Sequence, residues 1–266
     1  MAYLCTRSTG TLRVLWAVAA HTVGESIRNR LLWLSGCLLL LAFVAGEFLA
    51  EVALTETRAY QISFMAAILR LGSVAIIAIF VVTSTLREFQ EKGVDLVLSL
   101  PAPRWAYVLG KFAGFTVSAL VLATLSAILA AVHAPWPDAL GWGVSLASEL
   151  VIVAAFGLLC LLTFSQPTAA LFAVLLFYVC ARTISALVLM ASGPFTADSG
   201  YAHLFLRGFF GSLAYLLPDL SAFASTDWLL SGAWSSAVLE RILLESAVYV
   251  GFLLAASLFD FYRRSF

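Results

Sequence analysis

The longest uncharged stretch of the chain constrains its fold most strongly, because Leu150 to Ala181 contains no Asp, Glu, Lys or Arg in 32 residues. A membrane-spanning α-helix needs about 20 mostly apolar residues, so this run is too long for one span. Ser165-Gln166-Pro167 interrupts the run, and a proline both removes a backbone donor and disfavours helix in the preceding residue. The run therefore predicts two spanning helices joined by a tight turn.

Six apolar segments in all are long enough to span a membrane. They cover residues 31–50, 62–86, 106–132, 144–165, 168–191 and 241–261. Charged residues make up only 11% of the chain, against about 25% in a soluble domain. We therefore expect residues 1–266 to form a single transmembrane domain, an all-α integral membrane protein with six transmembrane helices.

The distribution of lysine and arginine predicts the orientation, because loops on the cytoplasmic side carry an excess of both. With six spans, ten of the 15 basic residues fall on one side, three on the other and two within spans. The ten are Arg7, Arg13, Arg28, Arg30, Arg87, Lys92, Arg104, Lys111, Arg263 and Arg264; the three are Arg58, Arg207 and Arg241. Both termini and the 87–104 segment are therefore expected to be cytoplasmic.

Segments outside the spans also carry apolar patterns. Residues 11–30 have apolar side chains at helical spacing, which predicts an interfacial helix in contact with membrane lipid. Residues 193–240 form a long extracytoplasmic segment whose apolar run is too short to span, so we expect short re-entrant helices there.

Tryptophans near span ends are expected at the membrane interfaces. They are Trp16, Trp33, Trp105, Trp136 and Trp142.

Four ionisable residues are expected inside the membrane on the same side of its midplane: Arg70, Glu149, Arg182 and Glu245. Charged side chains within spans usually face the bundle interior and pair with one another. We therefore expect a buried ion network among the four. Two interpretations remain open: the network lines a substrate route and binds an anionic group, or it only locks helices together.

The 87–104 segment is a charged island between two spans. Glu88, Glu91 and Asp95 lie on one helical face and apolar residues on the other, and Pro101 and Pro103 end the helical pattern. A short two-faced helix of this kind suits docking into a groove of a partner protein. A solvated loop anchored by its apolar face explains the same pattern, and the residues alone do not decide between the two.

The order of residues in this segment resembles that of ABC-2 type transporter permeases. The matching positions are Glu88, Glu91, Gly93, Leu96, Leu98, Pro101, Arg104, Gly110 and Lys111, with Glu25, Arg28, Asn29 and Arg30 before the first span. The stretch Leu216-Leu217-Pro218-Asp219 to Phe223 also resembles the subgroup linked to multicopper-enzyme maturation, including nitrous-oxide-reductase assembly permeases.

The resemblance implies a permease of the ABC-2 exporter type in the bacterial inner membrane, with the interfacial helix as its elbow helix. It implies that residues 87–104 form the coupling helix, on which Glu88, Glu91, Gly93, Asp95, Pro101 and Arg104 contact an ATPase subunit. The chain has no Gly-x-x-x-x-Gly-Lys-Ser/Thr phosphate loop, so ATP and Mg²⁺ would be bound by that partner. A homodimer with two ATPase subunits is expected.

Other functions are less well matched by the sequence. No span carries a catalytic constellation or a metal motif, so no catalytic or metal-binding residue is predicted, and zero net charge gives no indication of nucleic acid. Two alternatives stay open. The chain could transmit ATP-driven motion to a periplasmic partner, or it could be an ion-coupled secondary transporter that uses the four membrane charges as a relay.

Overall fold

The computed structural model describes residues 2–28, 31–52, 56–90, 104–164, 166–191, 208–214, 217–232 and 234–263. Its helices are α1 (Ala2–Arg28), α2 (Leu31–Val52), α3 (Thr57–Gln90), α4 (Arg104–His133), α5 (Trp136–Thr163), α6 (Pro167–Ala191), α7 (Thr226–Ser231) and α8 (Ser236–Arg263). Residues 208–214 are also helical. Every regular element in these ranges is a helix.

Six of these helices, α2 to α6 and α8, are long and apolar enough to cross a membrane. The prediction of six candidate spans in an all-helical chain is therefore confirmed. The observed helices extend beyond the predicted apolar segments, most of all α3, because a helix continues through polar turns that hydropathy does not mark. The break at Pro167 is also found: α5 ends at Thr163, and Pro167 is the first residue of α6, where its missing N–H costs no hydrogen bond.

Helix α5 is the centre of the bundle. It packs against α3, α4, α6, α7 and α8, and 78% of its apolar stretch is buried, compared with 22% for both α6 and α8. Small residues let its neighbours approach closely. A Cβ atom added at Gly143 would lie 2.5 Å from the Cβ atom of Ala127 on α4. The side chains that α5 carries are therefore the ones most enclosed by protein.

Helix α1 packs mainly against α4, and it begins at Ala2 rather than at the predicted residue 11. Two glycines one turn apart on α4 form the contact. A Cβ atom at Gly110 would lie 2.9 Å from the carbonyl oxygen of Leu15, and one at Gly114 would lie 2.5 Å from the Cβ atom of Thr22. This Gly-x-x-x-Gly arrangement brings the two backbones close together.

Candidate functional site

A polar cluster joins α1, α3 and α4, and we call it the Lys111 cluster (His21, Glu25, Ser84, Glu88, Tyr107 and Lys111). Its centre is buried, Glu88 is partly buried, and His21 is exposed at its edge. The side chain of Lys111 is fully buried. Its Nζ atom donates to Glu88 Oε1 at 2.6 Å and to Ser84 Oγ at 2.9 Å, and it lies 3.5 Å from Glu25 Oε2. Ser84 Oγ donates in turn to Glu25 Oε2 at 2.6 Å. The buried ammonium group thus has three oxygen partners.

The carboxylate of Glu88 is the second centre of the Lys111 cluster. Tyr107 donates its hydroxyl to Glu88 Oε2 at 2.5 Å, and His21 Nδ1 lies 3.6 Å from Glu88 Oε1. Glu88 is in the last turn of α3, whereas Tyr107 and Lys111 are in the first two turns of α4. The cluster therefore clamps together the two helix ends that residues 91–103 connect, and Glu25 attaches both ends to α1.

Local sequence explains how a lysine comes to be buried here. Gly110 and Gly114 let α1 lie close to α4, so that Glu25 reaches the start of α4 from the side. The Nζ atom of Lys111 also lies over the Phe115 ring, 5.3 Å from its centre. A buried charge is tolerated when it is paired and hydrogen-bonded. The sequence predicts Lys111 as a positive-inside anchor, and its pairing with Glu25, 86 residues away, was missed.

The cluster also brings three metal-ligand types together. Ligand atoms of His21, Glu25 and Glu88 lie within 4.8 Å of one another. The ammonium group of Lys111 contacts both carboxylates, so it supplies the positive charge that a cation would otherwise bring. The arrangement therefore favours an internal ion pair over a bound metal ion.

Less is described of the other residues that were predicted to contact an ATPase. Glu91, Gly93, Asp95 and Pro101 lie outside the described residues, and Arg104 is the first residue of α4. Glu88 is the one member of the predicted set whose side-chain contacts are described. Its position in the Lys111 cluster was not predicted.

A second cluster surrounds Glu149 on α5, and we call it the Glu149 cluster (Arg70, Glu149, Tyr178, Arg182 and the backbone of 220–224). Arg182 Nη1 donates to the carbonyl oxygen of Phe223 at 2.8 Å and also to that of Leu220. Arg70 Nη1 donates to the carbonyl oxygen of Ala224 at 3.1 Å. Two arginines from separate helices are therefore held by one short backbone segment.

Residues of α5 fix the same segment. Trp142 Nε1 donates to the carbonyl oxygen of Ala224 at 3.1 Å, and the N–H of Ala224 donates to Ser145 Oγ at 2.9 Å. Ala224 is fully buried and has a φ of 45°, a left-handed conformation that is uncommon for residues other than glycine. Several hydrogen bonds thus hold Ala224 in an unfavourable backbone conformation.

Two expectations about this region need correction. Glu245 was predicted to join the buried network, but it pairs with Arg241 at 2.7 Å, one turn earlier on α8, and its side chain is 37% exposed. Similar depth along the helices was the basis for grouping the four residues, and depth does not fix which way a helix face points. Trp142 was predicted at a membrane interface, but it is fully buried against Ala224.

Replacement of Arg182 by glutamine is expected to loosen residues 217–224. The shorter amide cannot reach both Leu220 and Phe223, so two buried carbonyl oxygens lose their charged donor. A hydrogen bond to a charged group contributes about 1.5–3 kcal/mol to stability. Hydrogen exchange at the N–H groups of residues 220–224 should become faster than in the wild type. Arg241→Gln is the matched control. Because Arg241 is exposed, this variant should leave the exchange unchanged. Equal exchange in wild type and Arg182→Gln would contradict the role of Arg182 as an anchor.

The sequence matches no protein-family model, and no curated protein is significantly similar to it. Its function must therefore be inferred from these two clusters and from the six candidate spans.

Proposed function

We propose that this chain is the transmembrane permease subunit of an ATP-binding-cassette transporter of the ABC-2 type, located in a bacterial inner membrane with both termini in the cytoplasm. Two copies would form the transport pathway, and two separate ATPase subunits would dock on residues 87–104. The observation that carries the proposal is the Lys111 cluster. It links both ends of the 91–103 connection to α1 through a buried ion pair.

The cluster gives such docking a mechanical consequence. A force applied to residues 91–103 acts on Glu88 at one end and on Tyr107 and Lys111 at the other. Because these side chains are hydrogen-bonded to each other and to α1, the ends of α3 and α4 move with α1 as one unit rather than separately. ATP-driven closure of the partner subunits would in this way be converted into movement of the helices.

Helix α1 fits the proposal as a helix lying along the inner leaflet. Its buried face carries Ala19, Thr22 and Glu25 toward the bundle, whereas Leu12, Trp16 and Ile27 are exposed. Apolar residues exposed along one side of a helix are typical of contact with the acyl boundary of a membrane.

Cross-linking to a partner tests the proposal directly. With a photo-reactive amino acid at position 91, 93 or 95, the chain purified in mild detergent should cross-link to a subunit that carries a phosphate-loop motif. The two subunits should copurify at equal stoichiometry, and Glu91→Ala or Gly93→Leu should lower the ATPase activity of the complex. The same photo-reactive group at Glu240, exposed on α8, is the control and should give no such cross-link. If no ATPase subunit is recovered with the chain, the proposal fails.

A further inference from the structure

The carboxyl group of Glu149 has unusual surroundings for a charged side chain. It is fully buried, and neither of its oxygens has a hydrogen-bond partner among the described residues. The nearest cationic atom, Arg182 Nη1, lies 3.6 Å from Oε1, which is an ion-pair contact but too long for a hydrogen bond. Transfer of a carboxylate from water into protein costs several kcal/mol unless hydrogen bonds and opposite charges offset it.

The two arginines that could satisfy this carboxylate donate elsewhere. Arg182 donates through Nη1 to Leu220 and Phe223, and Arg70 donates through Nη1 to Ala224. The remaining N–H groups of the two arginines make no hydrogen bond to Glu149, and Arg70 Nε has no acceptor among the described residues. A guanidinium group that turned toward the carboxylate would therefore take its Nη1 away from the carbonyl oxygens of 220–224. The structure records the arrangement in which the carbonyl oxygens hold the guanidinium groups.

We infer that Glu149 is a reversible proton-binding site, and that its proton determines whether Arg182 and Arg70 hold residues 220–224 or turn to the carboxylate. With the proton bound, Glu149 is neutral and the arginines keep their hydrogen bonds to the segment. When the proton is released to water, the carboxylate attracts the guanidinium groups, the carbonyl oxygens of 220–224 lose their donors, and the segment is released. No other bond forms or breaks.

The groups that face Glu149 come from three directions. Arg70 on α3 and Arg182 on α6 act on it through their charges, and the Tyr178 hydroxyl on α6 is a neutral donor beside it. The Tyr178 hydroxyl is buried and makes no well-formed hydrogen bond among the described residues. Asp219 acts on Arg182 from the segment itself. Helices α4, α7 and α8 also pack on α5, and within the described ranges they add no charged group to this set.

Among the described residues, Asp219 is the carboxyl group near Arg182 whose titration could imitate that of Glu149. Burial acts to raise the pKa of Asp219, but hydrogen bonds from Ser221 and Ser185 and the charge of Arg182 outweigh it, so this pKa lies below its usual range. Asp219 therefore stays ionised at neutral and mildly acidic pH, where the release of residues 220–224 is to be measured.

The inference about Glu149 does not depend on the proposed partnership with an ATPase.

Thiol labelling measures the release of the segment. In a chain whose four native cysteines are replaced, Ala224→Cys places a thiol at a position that is buried while the segment is anchored, and Ala222→Cys places one at an exposed position. The ratio of their labelling rates by a polar maleimide removes the pH dependence that the two thiols share, and the Glu149→Gln chain with the same two cysteines corrects for any difference between their thiol pKa values. We expect this ratio to rise with pH, by up to about tenfold per pH unit for a single titrating group.

Variants at position 149 decide the origin of any pH dependence. Glu149→Gln should keep the ratio low at every pH, Glu149→Asp should keep the dependence with a shifted midpoint, and Asp219→Asn should leave it unchanged. A wild-type ratio that does not change with pH overturns the inference without any variant at position 149. A pH dependence that persists in Glu149→Gln also overturns it.

Infrared spectroscopy provides a measurement that does not require movement of the segment. The full chain in lipid nanodiscs should show the C=O band of a protonated carboxylic acid, which disappears at high pH and is missing from Glu149→Gln. If no such band depends on Glu149, the carboxyl group is permanently ionised and the inference is wrong.

Discussion

Lys111→Met is expected to destabilise the folded chain by about 3–5 kcal/mol, the range found when one partner of a buried ion pair is removed. Methionine fills a similar volume, so the loss comes from charge rather than from a cavity. Glu25 and Glu88 would remain close to each other without the ammonium group that contacts both of them. The apparent unfolding temperature in mild detergent should fall clearly.

A second variant distinguishes the loss of the ion pair from a general disruption of the protein interior. Glu88→Gln with Lys111→Met removes one negative and one positive charge together, and this double variant should be more stable than Lys111→Met alone. Arg241→Met is the surface control, because its partner Glu245 stays solvated, and it should leave the unfolding temperature unchanged. A Lys111→Met chain that unfolds at the wild-type temperature would show that the cluster does not stabilise this end of the bundle.

Gly114→Ala is expected to separate α1 from α4, although it adds a single methyl group. The new Cβ atom would lie 2.5 Å from the Cβ atom of Thr22 and 3.1 Å from the carbonyl oxygen of Ala19. Overpacking of this kind typically costs about 1–3 kcal/mol. Glu25 would then move away from Lys111, so both the unfolding temperature and the ATPase activity of the proposed complex should fall.

Gly24→Ala is the matched control for this change. Nothing lies within 4 Å of a Cβ atom at Gly24, so this variant keeps only the gain in helix propensity, about 0.8–1.0 kcal/mol. The two substitutions are chemically identical and should have opposite effects on stability. In addition, Thr22→Gly combined with Gly114→Ala should recover part of the loss. Equal stability of Gly24→Ala and Gly114→Ala would rule out a close helix contact at Gly114.

Hydropathy and charge predict most of the fold, because a spanning helix must be apolar over about 20 residues whatever its neighbours are. The turn at Pro167 is predictable for a similar reason, since the effect of proline on the backbone is local. The ends of the helices are less predictable: α3 begins at Thr57 and ends at Gln90, and these polar turns depend on capping and packing.

The two clusters were predictable only in part. The depth of Arg70, Arg182 and Glu149 follows from their positions in the spans, but pairing requires the rotation of each helix, which the sequence does not provide. This is why the assignment of Glu245 was wrong. For the Lys111 cluster, the sequence contains one local indication, the Gly110-x-x-x-Gly114 spacing. This spacing predicts a closely packed neighbouring helix but does not identify that helix.

The long sequence separation between Arg70 and its acceptor has a consequence for how the protein is made. The carbonyl oxygen of Ala224 is 154 residues further along the chain, so α3 leaves the ribosome and enters the membrane well before that partner exists. An unpaired arginine near the centre of a span costs about 2.5–3.5 kcal/mol on insertion scales. During insertion, only the apolar residues of α3 itself can therefore offset the cost of placing this arginine in the bilayer. A nascent chain that stops before residue 224 lacks the carbonyl oxygen that accepts from Arg70, so we expect its α3 to be held less stably than that of the full chain.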